Sequence, residues 1–238
     1  MEREANMKTG FLITFEGGDG CGKTTQLKLF EEFLKAKGFD YLMTREPGGT
    51  VVGEEIRNIL LNSKGEMSSL TEVMLFSSSR AEVCKQVLRP ALADGKIVTL
   101  DRFYDSTTVY QGYAGGVDPQ VIKKITAIAV DGTVPDLTIL LDISYEDAMS
   151  RKSKDEKLQK LDRIESKGKA YHDKVRQGYL QLAQQEPQRF VVIDARKSIE
   201  EIHEQIVTAF VKRYTEKQKV ENSKDQPIVA KTSSGEGK

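Results

Sequence analysis

Short runs of apolar residues alternate along the chain with longer amphipathic stretches. The runs are rich in Ile, Val and Leu without polar alternation, which is typical of strands buried on both faces of a parallel sheet. They lie at residues 11–15, 41–44, 97–100, 137–141 and 190–193. The segments between them are long enough for the crossover helices that parallel neighbours need. The pattern predicts an α/β fold, a doubly wound, five-stranded, mainly parallel sheet with flanking helices.

Polar residues mark three helix starts between these runs. An S-x-x-E capping box, an Asp-Pro pair and an S-x-x-D pattern are typical of helix N-termini. They lie at Ser198 with Glu201, Asp118 with Pro119, and Ser144 with Asp147. Apolar stripes at helical spacing follow the first two, at Ile199, Ile202, Ile206, Phe210 and Val211 and at Val121, Ile125 and Ile128. These stripes predict amphipathic helices.

Two stretches stand outside this pattern. Residues 151–169 are dense in charge and poor in core residues, and residues 215–238 are polar with almost no hydrophobic side chains. A segment with so little apolar surface cannot offset the entropy lost on ordering, so we expect 215–238 to be a disordered polar tail. Residues 1–214 then form a single domain.

The charge balance and the cysteine count narrow the class of protein. The 238 residues include 36 Lys plus Arg and 36 Asp plus Glu, so a net charge of zero gives no pull toward nucleic acid or acidic membranes. The two cysteines form no metal-binding or disulfide pattern. The N-terminus lacks the apolar core of a secretory signal, and no apolar run approaches the ~18 residues of a membrane span. We expect a cytoplasmic protein that binds neither nucleic acid nor membranes.

A glycine-rich segment links the first strand to the first helix. Residues 17–24 match G-x-x-x-x-G-K-[ST], in the strand-to-helix context that a phosphate-binding loop requires. In such a loop the backbone N–H groups surround phosphate oxygens, the lysine (Lys23) bridges the β- and γ-phosphates, and the hydroxyl (Thr24) binds Mg²⁺. We therefore predict that ATP and Mg²⁺ bind here. The nucleotide-binding residues would be Gly17, Gly18, Asp19, Gly20, Cys21, Gly22, Lys23, Thr24 and Thr25.

The third apolar run ends in Asp101 and Arg102. An aspartate at that strand tip can hold Mg²⁺ or merely cap the next helix, and the adjacent arginine can bind a second phosphate. More arginines stand near strand tips and early helices, at Arg45, Arg57 and Arg80. An acceptor that is itself a phosphate is already anionic, so it needs fixed cations rather than a general base. His172 and His203 lie in polar helical stretches and are expected at the surface.

Five strings in this sequence resemble the bacterial type of thymidylate kinase: FEGGDGCGKTTQ, TREPGGT, LFSSSR, DRFYDSTTVYQG and LDRIE. The resemblance covers roughly residues 11–213, and TREPGGT with DRF…YQG is far more specific than a phosphate loop alone. It implies a nucleoside monophosphate kinase that transfers the γ-phosphoryl group of MgATP to dTMP, giving dTDP and ADP. It also implies a homodimer formed through helix faces.

The resemblance implies roles for residues around the base of dTMP. Phe76 would stack on thymine, and Arg80, four residues further along the same helix face, would reach a base carbonyl. Thr107 and Gln111 would meet the base edge. Without the neighbouring motifs, Phe76 would be interpreted as a core aromatic residue.

Other roles concern the sugar and the acceptor phosphate. Asp19 would accept a hydrogen bond from the deoxyribose 3′-hydroxyl, and Tyr110 would pack where a ribose 2′-hydroxyl would otherwise sit. Glu46, Arg57 and Arg102 would surround the acceptor phosphate and its metal.

The charged segment 151–169 corresponds to a mobile lid in the family. Gly20 stands where some members carry a catalytic arginine, and members without it supply that cation from the lid. Arg151 is our first candidate for this cation, while Arg163 could serve the lid's own structure. Bacterial lids are typically rich in arginine, whereas this segment carries lysine at 152, 154, 157 and 160. A solvated charged loop is the alternative interpretation.

Two alternatives to dTMP kinase activity stay open. A kinase for dUMP, CMP or AMP would share the phosphate machinery and differ only at the base-contacting residues. A P-loop protein that uses ATP as a conformational switch, without transfer, would belong to another class. The acidic loop residue Asp19 and the second arginine cluster argue against that class, and a guanine-binding N-K-x-D is absent from the sequence.

Overall fold

The computed structural model describes residues 10–152 and 163–224, and within them five strands form one sheet in the order β2-β3-β1-β4-β5. The strands are β1 (Phe11–Glu16), β2 (Tyr41–Arg45), β3 (Ile97–Asp101), β4 (Leu137–Asp142) and β5 (Phe190–Asp194). All neighbouring pairs are parallel, which confirms the predicted fold class. Each strand runs one residue beyond its predicted apolar run, and each added residue is charged. Because parallel strands end at one edge, these charges gather at the carboxyl edge of the sheet.

Helices cover the sheet on both faces. They are α1 (Lys23–Ala36), α2 (Val51–Asn62), α3 (Ser69–Val83), α4 (Arg89–Ala93), α5 (Tyr104–Thr107), α6 (Pro119–Val130), α7 (Tyr145–Lys152), α8 (Lys169–Gln185) and α9 (Ile199–Lys224). A π-helical turn, Cys84–Leu88, joins α3 to α4, and a second, Thr108–Ala114, follows α5.

The three predicted helix starts are confirmed by their capping bonds. The Ser198 and Glu201 side chains exchange bonds with each other's backbone N–H, at 3.0 and 3.2 Å. The Asp118 carboxylate accepts from the N–H of Gln120 at 2.8 Å, and the Ser144 hydroxyl accepts from that of Asp147 at 3.1 Å. These bonds satisfy N–H groups that the first turn of a helix leaves unpaired.

The core divides into layers on the two faces of β1. Phe15 packs with Phe30 and Phe210 of α1 and α9, whereas Leu12 lies in the cluster under α3 and α4. This alternation explains why β1 shows an unbroken apolar run, because each face is buried under its own helices. None of the helices in the described ranges is long and apolar enough to cross a membrane.

The predicted boundary of the tail at residue 215 is wrong for its first ten residues, because α9 continues to Lys224. Tyr214 stacks against Phe210 with ring centroids 5.5 Å apart. One turn later, the Lys217 ammonium lies 2.8 Å from the Gly10 carbonyl and from both carboxylate oxygens of Asp136. These distant partners anchor a segment whose own composition predicts disorder. Residues 225–238 lie outside the described residues.

The predicted apolar stripes are only partly buried. Ile202, Ile206 and Phe210 lie in the core, but Val121 and Ile128 on α6 are 37% and 80% exposed. The helix α6 instead buries Ile122, Ala129 and Val130. Its apolar stripe therefore faces outward from this single chain.

We expect Lys217→Ala to lower the free energy of unfolding by about 1–2 kcal/mol, because it removes a charge-assisted contact between α9 and Asp136, which immediately precedes β4. Urea denaturation monitored by far-UV circular dichroism measures the change. Lys219→Ala, at an exposed position of the same helix, is the matched control and should stay within about 0.5 kcal/mol of the parent. Equal effects of the two substitutions would contradict the anchoring role of Lys217.

Candidate active site

The phosphate loop leaves β1 at the carboxyl edge of the sheet and leads into α1. Gly17, Gly20 and Gly22 have φ angles of 139°, 82° and 98°, in the region that favours glycine. A Cβ on Gly17 would lie 2.5 Å from the carbonyl oxygen of Leu141 on β4, so this position tolerates no side chain. The buried Lys23 donates to the carbonyls of Gly17 and Gly18 at 3.1 Å each. The loop thus holds its lysine folded over the place where phosphate oxygens bind in such loops.

Arg102 follows β3 directly and faces this loop. Its φ of 67° is left-handed, which is uncommon outside glycine, and its N–H donates to the carbonyl of Phe15 at 3.0 Å. The guanidinium donates to the Asp19 carboxylate at 2.5 Å and to the Gly17 carbonyl at 3.0 Å. A cation is therefore held between the phosphate loop and the cavity beside it.

Glu16 is a buried residue behind the site that our sequence analysis did not name. It is fully buried, and its carboxylate accepts from the Phe103 N–H, the Ser106 hydroxyl and the Tyr179 hydroxyl, each at 2.7 Å. Those two hydroxyls also accept from Arg102, at 3.2 and 3.3 Å. Burial raises the pKa of Glu16 to about 7, and the charge of Asp105 acts in the same direction. A carboxylate directly after an apolar run and before the glycines was the signal that could have found it.

A cavity of about 500 Å³ opens between the phosphate loop, α2, α3 and the turn after α5. It gathers most of the residues that the sequence analysis named: Asp19, Gly20, Gly22, Lys23, Thr24, Thr25, Glu46, Arg57, Phe76, Asp101, Arg102, Thr107, Tyr110 and Gln111. Arg45 also lines it. Gly17, Gly18, Cys21, Arg80 and Arg151 are outside its lining. Phosphate-binding and base-binding candidates therefore share one space.

Arg80 is buried behind the cavity wall. Its guanidinium donates to the buried Glu46 carboxylate at 2.8 Å and to the Thr107 hydroxyl at 3.0 Å, both of which line the cavity. Its buried Nη1 has no hydrogen-bond partner among the described residues. Buried donors are nearly always paired, so within the described residues this nitrogen is an exception.

Aromatic side chains form the wall on the other side. Tyr110 places its hydroxyl 3.3 Å from Asp19, and the Arg102 guanidinium lies 5.2 Å from the centre of its ring. Phe76 is half-buried against the cluster that includes Tyr110 and Tyr179. One ring face of such a residue suits stacking on a planar base.

The two described ends of the 151–169 segment make different contacts. Arg151 is exposed and donates to the carbonyl of Ala195 at 2.6 Å. Arg163 donates to the Glu72 carboxylate at 2.6 Å and to the carbonyl of Leu60 at 3.0 Å, so it ties its segment to α2 and α3. Residues 154, 157 and 160, which carry three of the four predicted lid lysines, lie outside the described residues.

The expectation that both histidines lie at the surface is wrong for His172. Its side chain is buried, contacts the carbonyl of Glu165 through Nε2 at 3.1 Å and stacks on Tyr145. His203 is half-buried beside Phe33. Neither histidine lines the cavity.

The donor set suits nucleotide phosphates and a magnesium ion. Mg²⁺ is commonly held by one or two protein oxygens together with substrate phosphates, so it needs no cluster of carboxylates. In the described part of the chain no group of three or more His, Cys, Asp or Glu side chains could hold a metal alone. Asp101 and Thr24 both line the cavity, and the buried Oδ1 of Asp101 has no hydrogen-bond partner among the described residues. A parallel sheet with this loop and these cations defines a P-loop nucleotide phosphotransferase.

Comparison with known proteins resolves the family. The thymidylate kinase family matches residues 15–206. Curated thymidylate kinases from Thermoanaerobacter sp. strain X514 and from Chlorobium luteolum are each 47% identical, over 205 and 211 residues. The matches cover 86% of this chain and 98% and 99% of the relatives. The crystal structure of thymidylate kinase from Ehrlichia chaffeensis superimposes with a TM-score of 0.68 at 32% identity, over 85% of this chain and 98% of that one.

The chain belongs to the thymidylate kinase family. Members of this family are dTMP kinases, enzymes that phosphorylate dTMP to dTDP with ATP as the standard phosphoryl donor.

Burial raises the pKa of Glu46 to about 7, although Arg80 beside it acts in the opposite direction. The folded state then keeps a proton that the unfolded chain loses between pH ~4.5 and ~7, so the stability that this group contributes falls as pH rises through that window. Glu46→Gln cannot titrate. We therefore expect its unfolding free energy, relative to the parent, to rise by roughly 2 kcal/mol from pH 5 to pH 8.

Urea denaturation at several pH values measures this difference. Glu54→Gln is the control, because the Gly49 N–H and Arg45 hold the pKa of that carboxyl below its ordinary value. Glu54 therefore stays ionised from pH 5 to pH 8, and its variant should differ from the parent by a constant amount. A constant difference for Glu46→Gln as well would contradict the raised pKa.

Proposed function

We propose that this chain transfers the γ-phosphoryl group of ATP directly to the phosphate of dTMP, inside the 500 Å³ cavity. A phosphate oxygen of dTMP would attack the γ-phosphorus in line while the bond to ADP breaks, with no phosphoenzyme. The observation that carries this proposal is the position of Arg102 between the phosphate loop and the wall that bears Phe76 and Gln111. In this proposal the cation would lie where the two phosphate chains approach each other.

The donor side of the site is the phosphate loop. The Lys23 ammonium, now bonded to loop carbonyls, would turn to the β- and γ-phosphates of ATP, whose charge attracts it more strongly. Thr24 and Asp101 would hold Mg²⁺, which would neutralise charge on the transferring group. The N-terminus of α1 adds positive potential at the same place.

The acceptor phosphate would lie among Arg102, Arg57 and Glu46. Arg57 donates to the carbonyl of Pro47 at 2.8 Å, which holds its side chain along the cavity wall. Because the attacking oxygen is already anionic, the site needs no general base, and neither histidine is required. Asp19 would accept from the 3′-hydroxyl, and Tyr110, bonded to Asp19, would fill the place of a 2′-hydroxyl.

The base would lie between Phe76 and the turn that carries Thr107 and Gln111. Phe76 would stack on the ring, and the other two residues would meet its polar edge. Arg80 supports this wall through Glu46 and Thr107, and the family resemblance implies that its remaining nitrogen would donate to a base carbonyl.

Arg151 remains our candidate for the lid cation. Arg163 is paired with the buried Glu72, whereas Arg151 is exposed and bonded to a main-chain carbonyl, which it can leave at less cost than an ion pair. Its movement toward the γ-phosphoryl group would belong to closure of the 151–169 segment.

A homodimer fits the outer surface of this chain, and the cytoplasm is the location that the sequence analysis predicts. Exposed apolar residues lie on α3 and α6, at Leu70, Met74, Val121 and Ile128. These two helices pack on each other, so their outer faces can be covered together by a second copy. Apolar surface of this kind is typical of a protein interface.

The first prediction here concerns the acceptor. We expect ADP release with MgATP to depend on dTMP, to be weaker with dUMP, and to be low with AMP, CMP and ribothymidine monophosphate. A coupled assay on the purified protein measures it. Preference for another monophosphate would be consistent with the proposed roles of the phosphate-binding residues. It would contradict the proposed base contacts of Phe76, Thr107 and Gln111. ATP binding without monophosphate-dependent turnover would indicate a switch protein instead.

The second prediction concerns the donor site. Lys23→Met should lower kcat by at least ~100-fold, because it removes a cation that stabilises charge on the transferring phosphoryl group. Lys28→Met, at an exposed position of the same helix, is the control and should retain kcat. Comparable losses in both variants would indicate damage to α1 rather than loss of the phosphate contact.

The third prediction concerns the dimer. Ile128→Glu places a charge on the exposed face of α6 and should shift the protein from dimer to monomer in size-exclusion chromatography with light scattering. Val220→Glu, at a residue of α9 that is 54% exposed, is the matched control and should leave the mass unchanged. A dimer that persists in Ile128→Glu would place the interface elsewhere.

A further inference from the structure

A buried carboxylate outside the phosphate machinery joins three parts of the chain. Glu72 on α3 is 1% exposed. It accepts from the Gln111 side chain at 2.8 Å, from Arg163 at 2.6 Å and from Lys167 at 3.3 Å. Gln111 lines the cavity, whereas Arg163 and Lys167 lie at the C-terminal end of the 151–169 segment. None of the roles assigned above uses Glu72.

The chemistry of this carboxylate decides how the Gln111 amide is oriented. An ionised carboxylate only accepts hydrogen bonds, so the NH₂ group of Gln111 must face Glu72. The carbonyl oxygen is on the other branch of the amide and is left for a ligand in the cavity. Without Glu72, the amide could turn over and present its NH₂ group instead, because the two ends are nearly equal in shape.

The hydrogen bond from Gln111 and the two cations together keep Glu72 ionised in its buried position. Burial acts to raise the pKa of Glu72, but the bonds from Gln111 and Arg163 and the charge of Lys167 outweigh it and hold the pKa below its ordinary value. Removing a partner from a buried carboxylate costs free energy, so the arrangement of Glu72 with its partners is stable. The acceptor at Gln111 is therefore set before any ligand arrives.

We propose that Glu72 is a positioning residue for base selectivity, because it fixes Gln111 as a hydrogen-bond acceptor at the base edge. This inference rests on the proposed binding of the base beside Phe76 and Gln111. Thymine and uracil carry an N–H at ring position 3 and can donate to the Gln111 oxygen. Cytosine has a bare nitrogen there, so two acceptors would face each other. A site built to pair one polar group discriminates strongly against a ligand that lacks it.

The test compares kcat/KM for dTMP, dUMP and dCMP in the parent and in Glu72→Gln. The neutral glutamine can donate as well as accept, so Gln111 is free to turn. We expect the dTMP-to-dCMP ratio to fall at least ~10-fold, with the dTMP-to-dUMP ratio within ~3-fold of the parent value and KM for ATP unchanged. If the role of Glu72 were purely structural, kcat/KM would fall by the same factor for all three substrates and both ratios would stay constant. That result would overturn the inference.

Two further variants keep the result interpretable. Lys167→Gln removes a charge but leaves the Glu72–Gln111 bond, so its dTMP-to-dCMP ratio should stay near that of the parent. In Gln111→Leu the dTMP-to-dCMP ratio should fall as it does in Glu72→Gln. The ratio of the double variant, Glu72→Gln with Gln111→Leu, should fall no further, because Glu72 acts through Gln111. Additive losses would mean that Glu72 acts by another route. These ratios do not depend on the fraction of folded enzyme, so reduced yield of a variant does not obscure them.

Failure of the inference and failure of the proposed function give different results. If the parent enzyme does not use dTMP, the function itself is wrong and no ratio can be formed. If the parent prefers dTMP over dCMP and Glu72→Gln keeps that preference, the function stands and the role of Glu72 is refuted.

Discussion

The parallel pairing of β1 with β3 is the constraint on which the rest of the site depends. Phe15 pairs with Asp101, so the phosphate loop and Arg102 leave neighbouring strands at the same edge. The backbone then turns through a left-handed residue at Arg102, whose N–H is tied to Phe15. Glu16 holds the other side of this turn through the Phe103 N–H. A change in register by one residue would separate the loop from the cation that faces it.

Two buried charge pairs connect elements that are far apart in sequence. Arg80 with Glu46 joins α3 to the loop after β2, and Arg189 with Asp105 joins the start of β5 to α5. Taking such charges out of water costs more than an exposed pair would, and each partner left alone would cost more still. These pairs fix the positions of polar atoms in the cavity before a ligand binds.

The cavity is also organised by polarity along its length. Lys23 and Thr24 lie at the phosphate loop, and Phe76 and Gln111 lie on the wall formed by α3 and the turn after α5. Arg102 stands where the two regions meet, bonded to Asp19 of the loop and packed over the ring of Tyr110. A nucleoside monophosphate has this same order of phosphate, sugar and base. Its acceptor phosphate would then point toward the donor.

The sequence by itself determined the strands, the phosphate loop, the three capped helix starts and most residues that line the cavity. These features depend on local patterns, namely apolar runs, glycine spacing and a cap three residues before its partner, and such patterns form wherever the chain places them. Tertiary structure decided that α9 continues past residue 215, that Arg80 and His172 are buried, and that Glu16 and Glu72 organise the site. Each of these depends on partners far away in the chain: Lys217 reaches Asp136, Glu16 reaches Tyr179, and Glu72 reaches Arg163. The local sequence does not indicate which distant residue will become a partner after folding, so these contacts are known only from the tertiary structure.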